Sequence, residues 1–173
     1  MRALELLVGV LLATVLHVLG GRLVAEFPSW VDLFLVVAVY TSLDSAPVAS
    51  MLRGTVAGLV HDALTGGLYG LHGFADTVVA WIVARMRQRL VIQQPLQVGL
   101  LFVLAAALQQ ALLAALRLVM VPGSELPGTS ATVAKVVASG ILGAGLFVLT
   151  ARWRAFLAKW RDQRRRRLRV EVR

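Results

Sequence analysis

Residues 58–73 read GLVHDALTGGLYGLHG, and Asp76 follows three positions later. This short stretch holds five glycines, two histidines and an aspartate inside a chain that is otherwise far more apolar. Glycine is costly inside a helix and useful in a turn, because it reaches backbone conformations closed to other residues. The run TGGLYG at 65–70 therefore divides the weakly hydrophobic segment 48–89 into two predicted helices, 48–65 and 71–89, joined by a tight turn. Whether those two helices cross a membrane decides between a four-span and a six-span fold.

The composition places the whole chain in a membrane. It has 173 residues, of which 58% are hydrophobic and 16% charged, with a mean hydropathy of +0.78, too apolar for a soluble domain of this size. A helix needs roughly 20 residues to cross about 30 Å of hydrocarbon, so the length fits about six spans and leaves no separate soluble domain. Apolar runs at 3–19, 98–121 and 131–151 are plain. A fourth, 30–43, lies between Pro28 and the turn sequence DSAP at 44–47, with Trp30 and Asp32 where interface anchors stand. Together with 48–65 and 71–89 these predict an all-α polytopic fold, six transmembrane helices in one bundle over residues 1–151, followed by a tail at 152–173. The N-terminus reads as a retained first span rather than a signal peptide, since Glu5 interrupts the charged region and no small-x-small cleavage site follows.

Charge agrees with that arrangement. With both termini cytoplasmic, fifteen of the 18 Lys and Arg fall in inner segments, and only Arg22, Arg117 and Lys135 fall outside. A four-span arrangement with 48–89 as a re-entrant excursion keeps the same end orientations, so charge does not separate the two. Cysteine is absent, which excludes disulfides, thiolate catalysis and cysteine-type zinc sites.

Ionisable residues inside a span are expensive and face a protein interior, a cavity or a partner. In the six-span arrangement they collect in the outer half of the bilayer, together with His17 and Asp32, as an expected outer polar pocket of His61, Asp62, His72, Asp76, Gln109, Gln110 and Lys135. The plainer alternative is a set of buried charge pairs that holds the bundle together, for instance Asp62 with Lys135. Gly54, Gly58 and Asp62 repeat every four residues, so one helix face carries a small-xxx-small stripe beside Leu59. That stripe suits either a partner helix or packing within the chain. His61 and His72 read as helix-end residues, because their spacing gives no closed metal set, and no metal or other cofactor is expected. No serine has a nucleophile-like setting near them and HEXXH is absent, so the chain reads as no enzyme.

The net charge of +9 comes almost entirely from the tail. Trp153, Phe156, Leu157 and Trp160 are spaced as one apolar stripe on a helix whose other face carries basic residues, Arg164 and Arg165 among them. Such a helix lies at the lipid interface and is held to anionic lipid by roughly 1 kcal/mol per basic residue. A cytoplasmic protein partner is the alternative, and nucleic acid is excluded for want of any recognition fold.

The order Pro28, Asp32, Leu33, then Gly54, Gly58, Leu59, Asp62, then Gly70, Leu71, His72 resembles MreD, the small membrane subunit of the bacterial rod-shape system. The motifs span the first half of the chain, and length and hydropathy extend the likeness over the whole. Ser29 and Ala57 depart from it, where an acidic and an aromatic residue are common. The resemblance implies a non-catalytic scaffold of the cell-elongation complex in the bacterial inner (cytoplasmic) membrane, binding an MreC-like bitopic protein and supporting peptidoglycan synthesis and cell shape. RodA, its penicillin-binding-protein synthase partner and MreB are implied in the same complex. It also implies a fold similar to the substrate-binding subunits of energy-coupling-factor vitamin transporters, and such a subunit is the alternative function.

Overall fold

The computed structural model describes residues 2–24, 30–66, 68–89, 94–120 and 128–170, with the side chains of residues 2, 95, 154–155 and 157–170 left aside. Pro28 of the family motif, Gly67 of the turn, and the side chains of Trp160, Arg164 and Arg165 lie outside what is described. Among the described residues six helices are defined: α1 Arg2–Leu23, α2 Leu33–Ser42, α3 Pro47–Thr65, α4 Leu71–Arg89, α5 Pro95–Met120 and α6 Thr129–Val170. The fold class is all-α.

The two helices on either side of TGGLYG are the closest pair. Pro47 opens α3 at its first position, where a missing N–H costs nothing. Gly66 closes it in the left-handed region, φ 64°, and its N–H donates to the Asp62 carbonyl at 3.2 Å. α4 then returns along the glycine stripe. A Cβ on Gly54 would overlap the backbone carbonyl of Asp76, and one on Gly58 the backbone carbonyl of His72. The stripe is therefore filled by α4 of the same chain, and the glycines serve helix packing there. The Thr55 and Thr77 hydroxyls meet across the seam at 2.7 Å, and Leu59 covers Gly73.

α2 sits at the centre. Leu33, Phe34, Leu35, Val36, Ala38 and Val39 are all buried, packed against Val79 and Val83 of α4, Phe102 of α5 and Ala13 of α1. Its ten residues rise about 15 Å, half of a bilayer core. The expected span at 30–43 is thus a short buried helix. The guanidinium of Arg53 donates to the Thr41 carbonyl and the Ser45 hydroxyl, which ties α3 to the end of α2.

Among the described residues three helical stretches are long and apolar enough to cross a membrane: Ala3–Leu23, Leu96–Met120 and Thr129–Trp153. α1 shows why hydropathy finds them, because most of its leucines face outward. Between α1, α2 and α6 lies an apolar groove of about 810 Å³, lined by residues such as Val8, Leu12, Val36, Tyr40, Leu146 and Trp153. α6 runs unbroken for 42 residues, so the basic tail continues the same helix as the last apolar stretch. Trp153 and Phe156 are exposed on it, with ring centroids 6.3 Å apart.

Candidate functional site

Asp62 explains the polarity of the opening stretch. From the last turns of α3 its carboxylate faces the first turn of α4, where helix N–H groups lack intrahelical partners. Oδ2 accepts from the N–H of Gly70 at 2.9 Å and of Gly73 at 3.1 Å, and Oδ1 from the N–H of His72 at 3.2 Å. An anion at a helix N-terminus is also favoured by the helix dipole. Oδ1 further holds the His72 ring through Nδ1 at 2.8 Å. Because Asp62 already receives three backbone donors, the shared proton belongs on Nδ1 of His72, and the lone pair that ring can offer is on Nε2.

The second centre is Asp32, which caps α2 and is 2% exposed. Its Oδ1 accepts the Leu35 N–H at 2.9 Å, an N-cap bond of the usual kind. Its own N–H donates to Ser139 Oγ of α6 at 3.1 Å. On the other oxygen, the Gln109 amide of α5 donates to Oδ2 at 2.9 Å and reaches Asp76 Oδ1 at 2.7 Å, so one amide group bridges two carboxylates. Lys135 Nζ comes to 3.9 Å from Asp32 Oδ2. The pairing read from sequence, Lys135 with Asp62, is corrected here: Asp62 is filled by backbone donors, and the lysine turns to Asp32.

His61 joins the two centres. Its Nδ1 is 3.6 Å from Asp32 Oδ1, its ring lies 4.1 Å from that of His72 between centroids, and Phe34 stacks on it at 5.0 Å. His17 of α1 approaches the same ring at 5.7 Å. His61 Nδ1 and Asp76 Oδ2 have no hydrogen-bond partner among the described residues. Among the described residues each of the six helices or its cap contributes to this cluster, where three carboxylates meet one ammonium group.

The structure brings together His61, Asp62, His72, Asp76, Gln109 and Lys135. Gln110 stands at the edge, its amide donating to Gln109 Oε1 at 3.3 Å, and lines a second cavity of about 450 Å³ with Arg117 and Thr132. Sequence reasoning placed Asp32 as an interface anchor at the depth of the outer polar residues, without a capping role, and gave Ser139 no role. The available signal was local: an aspartate three residues before Leu35 and directly ahead of an apolar run is an N-cap pattern. Ser139 carried no such signal.

Comparison with known families decides the membership. The family described as rod shape-determining protein MreD matches residues 2–149. The chain belongs to the MreD family. The curated proteins and the solved structures compared with it give no match. Within this MreD chain the match takes in every residue of the buried cluster, from His17 to Ser139, and ends before the basic tail. MreD membership and the apolar helices together make it a membrane protein with a role in rod-shape determination.

Proposed function

We propose that this chain is a non-catalytic membrane scaffold of the bacterial cell-elongation complex. In this reading it spans the inner membrane six times with both ends cytoplasmic, the 30–43 segment around the short α2 crossing inside the bundle away from lipid, and it binds an MreC-like bitopic protein and supports peptidoglycan synthesis alongside RodA, its penicillin-binding-protein partner and MreB. The basic tail attaches to anionic lipid. The family match over residues 2–149 carries the proposal. The way Asp62 is consumed by the backbone of α4 supports it, since that carboxylate is spent on holding two helices in place.

A second reading, a vitamin-binding transporter subunit, draws on the 450 Å³ cavity beside Gln110 and Arg117, which is of a size for a small solute. Purification of the tagged chain in mild detergent separates the two. An MreC-like bitopic protein should co-elute; recovery of an ATPase pair instead would overturn the scaffold. The six-span arrangement has its own test, because a chain without cysteine gives no labelling background. A cysteine at exposed Tyr69 should react with an impermeant reagent from outside, and one at exposed Gln88 should not.

A further inference from the structure

We propose that Asp32, His61 and His72 form a binding site for one divalent transition-metal ion of the zinc type, joining the start of α2 to α3 and α4. Ligand-capable atoms of these three buried residues all lie within 4.8 Å of one another. Two imidazoles and one carboxylate are a donor set that zinc accepts, with a fourth position left for water or another ligand.

Three details of the geometry point to a cation rather than to a network closed on itself. His61 Nδ1 is buried, faces Asp32 Oδ1, and has no hydrogen-bond partner among the described residues. The 3.6 Å between these atoms is too long for a hydrogen bond. It is close to the separation of two ligands on one tetrahedral ion, roughly 3.3 Å for bonds of about 2.0–2.1 Å. Two groups sharing a water at ordinary hydrogen-bond lengths would stand farther apart, roughly 4.5 Å.

His72 is prepared in the manner of a metal-bound imidazole. Its Nδ1–H donates to the Asp62 carboxylate at 2.8 Å, which fixes the tautomer and ring orientation and frees Nε2. Asp32 divides its oxygens in a compatible way. Gln109 and Lys135 address Oδ2, whereas among the described residues Oδ1 meets the Leu35 N–H and His61. Lys135 is the competing cation. Its side chain is 17% exposed, so the ammonium can turn toward the surface when a divalent ion takes up the carboxylate charge. The ion draws the three ligands inward from their present separations and cross-links three helices.

The test uses the full chain in detergent with a tag free of histidine, stripped with a chelator and titrated with Co²⁺ as the spectroscopic probe. One Co²⁺ per chain should bind, with visible absorption of a four- or five-coordinate site, and Zn²⁺ should displace it. His61→Gln and His72→Gln should each weaken binding by about 100-fold or more, and Asp62→Asn, which loosens the His72 ring, by about 10–100-fold. Lys135→Gln should tighten it. Absence of Co²⁺ binding by the folded wild-type chain, or equal binding by His61→Gln, overturns the site. Should the histidine variants fail to fold, imidazole NMR of the wild type decides, because the chain has only three histidines. Zinc should shift the signals of His61 and His72 strongly; a titration that moves neither, or only His17, overturns it. The measurement concerns the chain alone, so its failure leaves the scaffold reading standing.

Discussion

The α3–α4 hairpin and the α5–α6 pair are both helix contacts made through glycine, yet they are built differently. In the hairpin, the space beside Gly54 and Gly58 is taken by backbone carbonyls of the facing helix. Between α5 and α6, the space beside Gly140 and Gly143 is taken by side chains, Val103 and Phe102. A side chain can change rotamer, and a backbone carbonyl cannot move without its helix. The polar groups follow the same division. The hairpin binds Asp62 with main-chain N–H groups, whereas α5 and α6 send Gln109, Lys135 and Ser139 to Asp32 as adjustable side chains.

The change expected to break this comparison most severely is Gly58→Leu. The hairpin would have to separate along its seam, at a cost of about 3 kcal/mol or more, beyond ordinary overpacking. Thermal unfolding in detergent reads it, and a melting curve like that of the wild type would show that α4 does not lie on this face. Asp62→Ala comes next. It strands three N–H groups, of Gly70, His72 and Gly73, and the His72 ring, and a loss of about 2–3 kcal/mol is expected in the same measurement.

A double-mutant cycle then distinguishes the two carboxylates. Asp32→Asn with Lys135→Gln should show a coupling of about 0.5 kcal/mol or more, because the pair shares one contact. Asp62→Asn with Lys135→Gln should add to within about 0.5 kcal/mol. The reverse pattern would return the lysine to Asp62. The smallest effect belongs to Gly99→Ala on the side-chain seam, where an added Cβ comes 3.3 Å from the Ala144 Cβ and a helix gains propensity. A change within about 1 kcal/mol is expected, and a loss as large as that of Gly58→Leu would erase the distinction between the seams.

How much of this the sequence disclosed follows from what periodicity can encode. The glycine turn, the two helices beside it and the three long apolar runs were legible, because turn chemistry and hydropathy act locally. The boundaries 48–65 and 71–89 fall within a residue of α3 and α4 as observed. The length of α2 was not legible. A helix that is apolar all round reads the same whether it faces lipid or five other helices, and only burial separates the two. The gathering of polar residues was visible as residue types placed at similar depth. The partners were not, since Asp32 and Ser139 stand 107 positions apart and nothing in either neighbourhood names the other. The free Nδ1 of His61 escaped for the same reason: histidine spacing along one chain says nothing about a carboxylate brought in at the start of another helix.

The unbroken course of α6 has a consequence of phase. No glycine or proline occurs between Gly145 and Val170, so nothing in that stretch supplies the usual means for a helix to kink or lose register. Each residue turns the helix by about 100°, and the azimuth of the basic tail is therefore tied to that of Lys135 and Ser139 in the bundle. One alanine inserted after Ala151 would leave the tail's composition, charge and length almost unchanged. It would also aim the tail's Trp153 face about a quarter-turn away from where the buried cluster now sets it.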